Sequence, residues 1–145
     1  MLPERTVRQL TLGLSFGTIA FGVVPVFWPR FFSRQFGIPL TEGPAADVMV
    51  RSIGARDAIS GIGILSATLH GGRVAPWLLA RALADGTDTL EIIFAWLSGA
   101  RDVRLMLLGA AAAAATVVDV FLWRQHKAAR SGNLPDTQSG MGAAG

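Results

Sequence analysis

The stretch VRQLTLGLSFGTIAFGVVPVF, residues 7–27, decides the fold. It carries no charged residue after Arg8, and its length is close to the ~20 residues that an α-helix needs to cross ~30 Å of hydrocarbon. Arg5 and Arg8 resemble the start of a signal peptide, but the apolar run is too long and no small-x-small cleavage site follows it. We therefore predict a retained transmembrane helix and expect it to be an ordinary apolar span.

Three further apolar segments follow, and glycines and short basic clusters separate them. They predict helices over about 46–69, 74–98 and 103–123, so the expected fold is an all-α bundle of four transmembrane helices in one domain, residues 1–130. Residues 30–39 combine Arg30 and Arg34 with three phenylalanines, which indicates a short interfacial segment after the first helix; an ordinary loop is the alternative. The tail, 131–145, is rich in small and polar residues and is expected to be disordered.

The composition excludes several functional classes. Charged residues make up 16% of the chain, against about 25% in a typical soluble domain. The chain has no cysteine and two histidines, which excludes disulfides, thiolate metal sites and a histidine-rich metal site, and we predict neither metal nor cofactor. The net charge is +3, but no basic stripe with interleaved aromatic residues is present, so nucleic acid is not an expected partner.

The tryptophans lie near the predicted helix ends, where their rings favour the membrane–water interface: Trp28, Trp77, Trp96 and Trp123. A soluble four-helix bundle is the alternative, since the second and third segments carry charges. We expect an inner or plasma membrane location, and the distribution of basic residues slightly favours both termini in the cytoplasm. Arg5, Arg8, Arg73, Arg124, Lys127 and Arg130 fall on the side of the termini, and Arg30, Arg34, Arg101 and Arg104 on the other.

Ionisable residues inside the second, third and fourth segments form the candidate polar pocket: Arg51, Arg56, Asp57, Arg81, Asp85, Asp88, Glu91 and Asp119. Each charge at the centre of a membrane helix costs about 2.5–3.5 kcal/mol, so these residues are expected to face the bundle interior. Arg81 and Asp85 are spaced to pair within one helix. Asp88 then needs a cation from the second helix. Asp119 is expected to lie near enough to the interface to be wet.

Asp88 has two candidate partners, Arg51 and Arg56. Three arginines face five carboxylates in the candidate pocket, so at least one carboxylate must be neutral, hydrated or bound to a ligand. A purely structural network of ion pairs and a functional pocket both remain open. The second and third helices are expected to form the interior pair, with the fourth helix supplying a small-residue face.

Asp85-Gly86-Thr87-Asp88 has the spacing of aspartates that hold Mg²⁺ against a diphosphate. It occurs once, and Arg81 is close enough to neutralise it. A metal–diphosphate site is therefore a minor alternative.

The chain resembles an uncharacterised family of small four-helix integral membrane proteins found in bacteria and fungi, a domain of unknown function. The resemblance rests on Phe36-Gly37-Ile38-Pro39, on Arg51-x-x-Gly54-x-Arg56-Asp57 and on Asp85-x-x-Asp88, and it covers about Leu10 to Trp123. It implies the four-helix topology and carries no activity with it.

The first functional hypothesis is a polar pocket within the membrane that binds a lipophilic small molecule or relays protons. An enzymatic version is an isomerase or cyclase with Asp57, Asp85 or Asp88 as the acid–base group; catalytic residues are otherwise unassigned. The second is a structural or accessory subunit of another membrane protein, and the third a proton-coupled transporter that acts as a homodimer. The expected partners are the lipid bilayer, a lipophilic small molecule, and a second copy or another membrane protein.

Overall fold

The computed structural model describes residues 2–38 and 44–131, and within these ranges the chain forms five α-helices and no β-strand. The helices are α1 (Glu4–Phe27), α2 (Pro29–Phe36), α3 (Pro44–Leu69), α4 (Val74–Leu97) and α5 (Val103–Ser131). The all-α prediction is confirmed, and α5 continues about two turns beyond its predicted end, to Ser131. The predicted disordered tail lies, apart from Ser131, outside the described residues.

The segment after α1 is a helix and not an ordinary loop. Pro29 opens α2 at the first turn, where its missing N–H leaves no bond unmade. Gly37 ends it with a left-handed φ of 65°, and its N–H donates to the Ser33 carbonyl. A Cβ at Gly37 would also lie 2.5 Å from the Asp102 side chain. Glycine is therefore required both by the backbone conformation and by the close approach of the loop between α4 and α5.

Contacts between distant parts of the chain show that the long helices alternate in direction. At one end, called here the α2 end, Arg104 donates from Nη1 to the Arg34 carbonyl at 2.8 Å. At the opposite end, the turn end, Arg130 donates to the carbonyl of Gly72 at 3.2 Å, and the Leu2 N–H donates to Gln125 at 3.3 Å. The start of α1, the turn between α3 and α4 and the last part of α5 therefore lie together.

Asp102 caps the start of α5. Its Oδ1 accepts a hydrogen bond from the Arg104 N–H at 2.9 Å, which satisfies a free donor of the first helical turn. The Arg104 guanidinium also donates from Nη2 to Oδ2 at 2.9 Å, and this hydrogen bond holds the pKa of the Asp102 carboxyl below its usual value. Asp102 thus stabilises the connection between α4 and α5 at the α2 end.

The long helices associate as two pairs, α1 with α3 and α4 with α5, whereas α3 and α4 meet over a shorter stretch. The prediction that α3 and α4 form the interior pair is therefore wrong. Glycines explain the first pairing: a Cβ on Gly22 would lie 2.5 Å from the Ala58 nitrogen, and a Cβ on Gly54 would lie 2.5 Å from the Gly22 carbonyl oxygen. Only residues without a side chain allow two helix backbones this close.

An apolar core closes the turn end. Its buried side chains are Val7, Ile64, Val74, Leu78 and Leu122. They come from all four long helices, so this end of the bundle is filled. On α4 and α5 the charged residues Arg81 and Asp119 lie about one turn further toward the α2 end, and on α3 Asp57 lies about two turns further.

The buried face of α1 is small and partly polar, with Thr11, Ser15 and Thr18 buried among its residues. Thr11 and Ser15 each donate to the backbone carbonyl four residues earlier, at 2.8 and 2.7 Å, which removes the cost of burying their hydroxyls. The expectation of an ordinary apolar span missed this face.

Two of the described helices, α1 and α5, are long and apolar enough to cross a membrane. Helices α3 and α4 have the length but carry several charged residues within the segments predicted to span. Membrane-spanning by length and composition is therefore supported for two of the four predicted spans.

Alanine at Gly22 is expected to lower the free energy of unfolding by about 1–3 kcal/mol, because overpacking forces the α1 and α3 backbones apart. Gly17 is the matched control on the same helix, since a Cβ there meets nothing within 4 Å. Gly17→Ala should be neutral or stabilise by up to about 1 kcal/mol. Thermal unfolding of both variants in the same detergent makes the comparison, and equal effects would contradict the close crossing.

Candidate functional site

Arg81 lies between two aspartates in the interior of the bundle. Its Nη2 is 2.9 Å from Asp85 Oδ2 and its Nε is 3.3 Å from Asp119 Oδ2. The side chains are 10%, 7% and 0% exposed, in the order Arg81, Asp85 and Asp119. The predicted pair within α4 is present, and α5 adds a second carboxylate to it.

Arg56 on α3 also joins two aspartates. It donates to both oxygens of Asp88 on α4, at 3.1 Å from Nη1 and 2.7 Å from Nη2. It also donates from Nε to Asp57 Oδ1 at 3.1 Å. This bidentate interaction between Arg56 and Asp88 is directional, and it links the α1–α3 pair to the α4–α5 pair. Of the two candidates for the cation that Asp88 needs, the structure therefore selects Arg56.

Arg51 lies apart from this cluster. It is exposed and donates from Nη1 to the Val26 carbonyl, near the end of α1. Carbonyls in the last turn of a helix have no partner within the helix, which makes them natural acceptors. The sequence-based grouping of Arg51 with the other charges is therefore wrong: its spacing along α3 turns it toward α1.

Asp119 is fully buried, and the expectation that it is wet is wrong. Leu122, one turn further along α5, belongs to the apolar core that closes the turn end. Distance from the helix end was therefore a poor guide to hydration, because the neighbouring helices cover this position.

Several polar atoms in the Arg81 group have no hydrogen-bond partner in the part of the chain that the structure describes: Arg81 Nε and Nη1, Asp85 Oδ2, and both Asp119 oxygens. The ion-pair distances are short, but the atoms are not aligned for hydrogen bonds. Buried polar atoms without aligned hydrogen bonds are costly, so the attraction within the ion pairs must offset that cost.

The charges in this region do not balance. Two guanidinium groups, Arg56 and Arg81, face four aspartates. With Arg51 directed elsewhere, the excess of carboxylates is larger than the sequence indicated. Glu91 adds a further carboxylate close by, and no ion pair joins it to another described residue.

A cavity of about 450 Å³ adjoins these residues on the side of the α2 end. Asp57, Arg81, Asp85, Asp88 and Glu91 form its polar wall. The rest of the lining is apolar, and it comes from all five described helices and from the residue Ile38 just after α2. These residues are Phe21, Phe32, Ile38, Ile53, Ile92, Ala95, Leu105, Leu108, Ala111, Ala112 and Ala115. The volume falls within the range of small-molecule binding sites, about 300–1,000 Å³.

The spacing Asp85-x-x-Asp88 does not form a metal site among the described residues. The structure contains no group of three or more acidic or histidine residues arranged to hold a metal ion there. Each aspartate is instead paired with a different arginine, Asp85 with Arg81 and Asp88 with Arg56.

Sequence reasoning missed the apolar lining and a second polar contact. Phe21 and Phe32 meet edge to face, with ring centroids 5.3 Å apart, and both line the cavity. At the turn end, Thr11 Oγ1 lies 3.0 Å from His126 Nε2. Thr11, Ser15 and Gly22 are spaced so that they share one face of α1. The periodicity of these small residues could therefore have predicted the buried face of this helix.

No family model, no curated protein and no solved structure matches this chain. The resemblance to a family of small four-helix membrane proteins therefore stays a prediction.

Replacement of Arg81 by methionine is expected to lower the free energy of unfolding by about 3–5 kcal/mol, because Asp85 and Asp119 would lose their buried partner. The triple variant R81M/D85L/D119L should recover most of that loss, since it removes the charges of all three interacting residues together. Arg30→Met is the control, because Arg30 is 67% exposed in its ion pair with Asp47; it should change stability by about 1 kcal/mol or less. If Arg81→Met had no larger effect than Arg30→Met in the same unfolding assay, the triad would not be a buried ion-pair network.

Proposed function

We propose that the chain is an integral membrane protein whose four long helices all cross the bilayer, and that its cavity binds a lipophilic small molecule. The observation that carries this proposal is the cavity of about 450 Å³ with a charged wall and an otherwise apolar lining. Such a chamber suits a molecule with a polar group at one end and hydrocarbon over the rest.

The outer surface supports a bundle surrounded by lipid. Large apolar side chains are exposed on every long helix. Examples are Leu10, Phe16 and Phe27 on α1, Met49, Ile59 and Ile62 on α3, Leu83, Leu90, Phe94 and Leu97 on α4, and Leu107, Val117 and Phe121 on α5. Water-soluble monomers rarely expose large contiguous apolar surfaces. Only 28% of the most apolar window of α1, and 22% of that of α5, is buried within the protein, whereas the core helix of a soluble protein is mostly buried.

The charges of α3 and α4 are compatible with membrane crossing because most of them point inward. Asp57, Arg81 and Asp85 are buried, and Arg56 and Asp88 are partly buried and paired with each other. Charged residues in membrane helices characteristically face the bundle interior and pair there. Apolar residues outside and charges inside are the reverse of a soluble four-helix bundle.

Aromatic residues paired with cations lie near both ends of the bundle. The Arg101 guanidinium lies 5.2 Å from the Trp96 ring centroid near the α2 end, and the Lys127 ammonium lies 5.2 Å from the Trp123 ring near the turn end. Tryptophan and basic residues favour the two membrane–water interfaces. The stretch of α5 from Val103 to Trp123 rises about 30 Å at ~1.5 Å per residue, which suits the hydrocarbon thickness of a bilayer.

Labelling of single cysteines tests the four-span topology, and the cysteine-free chain needs no prior substitutions. His70→Cys at the turn end should react with a membrane-impermeant maleimide only from the cytoplasmic side. Ser98→Cys near the α2 end should react only from the other side, and Ile59→Cys, exposed in the middle of α3, should stay unlabelled in intact membranes. Labelling of His70→Cys and Ser98→Cys from one side, or rapid labelling of Ile59→Cys, would rule out the topology.

Native mass spectrometry after purification in mild detergent tests the cavity. The wild-type protein should carry a small lipophilic adduct that unfolding releases. Ala112→Phe should lose it, because Ala112 lines the cavity and a phenyl ring would occupy the space. Ala114→Phe is the matched control on α5, since Ala114 is exposed and does not line the cavity.

An adduct that both variants keep would place the ligand outside the cavity. A wild-type protein without adduct would contradict the proposal. If a second membrane protein copurified in its place, the accessory-subunit alternative would be favoured.

A further inference from the structure

We propose that the cavity selects lipophilic cations, such as amines or quaternary ammonium compounds with a hydrocarbon body. This inference rests on the proposed function and names the class of ligand for the same site. Three features of the cavity wall carry it: its excess of carboxylates, the buried polar atoms without hydrogen-bond partners, and its aromatic and aliphatic lining.

The charge of the wall favours a cation over a neutral or anionic ligand. Four carboxylates line the cavity, those of Asp57, Asp85, Asp88 and Glu91, and Arg81 is the one arginine among the residues that line it. Arg56 lies beside the wall and is already engaged by both Asp57 and Asp88. A bound cation would reduce the negative excess in a region where low polarity strengthens electrostatic attraction.

The second feature is the presence in the cavity wall of two side chains, Asp85 and Arg81, that carry buried polar atoms without hydrogen bonds. Asp85 is 5% exposed and its Oδ2 lies 2.9 Å from Arg81 Nη2, but that oxygen has no hydrogen-bond partner among the described residues. Arg81 is 9% exposed, and its Nη1 is likewise without one. A cationic head group in the cavity would give the Asp85 carboxylate a second charge partner beside Arg81.

The remaining lining explains why the cation should be lipophilic. On the α5 side, the cavity wall consists of the small side chains of Ala111, Ala112 and Ala115. Toward the α2 end, the side chains of Leu105 and Leu108 continue this wall. Phe21 and Phe32 contribute aromatic rings to the same chamber. Aromatic rings attract ammonium groups as well as hydrocarbon. A small hydrated cation would gain nothing from this surface.

Equilibrium dialysis against the protein in nanodiscs of zwitterionic lipid tests the inference, with empty nanodiscs as the background. The probes are dodecyltrimethylammonium, its neutral isostere with carbon in place of nitrogen, and laurate as an anion of similar chain length. The cation should bind at least about tenfold more tightly than the neutral isostere, which corresponds to one favourable charge interaction. Laurate should bind more weakly than either.

Glu91→Gln tests how much one negative charge of the cavity wall contributes to the affinity for the cation. Glu91 lines the cavity and is exposed, so the substitution is not expected to disturb the fold. It should weaken binding of the cation severalfold and leave binding of the neutral isostere unchanged. Glu4→Gln removes the same charge at the start of α1, away from the cavity, and should change neither affinity.

The outcomes separate the two proposals. Equal affinity for cation and neutral isostere, or no effect of Glu91→Gln on the cation, would overturn the inference while a lipophile-binding cavity remained. No saturable binding of any of the three probes would overturn the inference and also contradict the proposed function. Selective binding of the cation that Glu91→Gln weakens would support both.

Discussion

The rest of the structure depends on the Arg81 guanidinium held between Asp85 and Asp119. These groups lie inside the bundle, where an ion without a partner is strongly unfavourable. Because Asp119 is on α5, the interaction fixes α5 beside α4 at one register. The polar faces of both helices are then directed inward. Large apolar residues are consequently left on their outer surfaces.

The layer of buried charged residues that crosses the bundle at α3, α4 and α5 also explains why the bundle contains a cavity. Below it, at the turn end, Leu78, Ile64 and Leu122 pack into a closed apolar core. Above it, the α1–α3 and α4–α5 pairs are linked by Arg56 and Asp88, but the small side chains of α5 do not fill the space between them. Polar groups therefore form one wall of the cavity and hydrocarbon forms the others. A lipophilic cation suits that division, since neither a fully apolar molecule nor a small ion would use both surfaces.

Much of the helical architecture could be predicted from the sequence. Apolar runs and glycine breaks located the four long helices, and the four-residue spacing of Arg81 and Asp85 predicted their pairing. Helix pairing could not be read in the same way. It depends on the close approach at Gly22 and Gly54, which brings α3 against α1, and a single sequence does not show which glycines meet. The misplacement of Arg51 and the burial of Asp119 both follow from that missing information, because each depends on which neighbour covers the residue.

The orientation of the bundle toward lipid is the claim on which the proposed lipophilic ligand depends, and Leu83 tests it most directly. This residue lies on the outer face of α4, is 65% exposed, and belongs to a helix that is not one of the two apolar enough to span a membrane by length and composition. A nitroxide label at Leu83→Cys in nanodiscs should collide often with oxygen and rarely with a water-soluble nickel chelate, while a label at His70→Cys should show the reverse. Nickel collisions at Leu83 as frequent as those at His70 would mean that α4 faces water, which would contradict a membrane-spanning bundle with its charges inside.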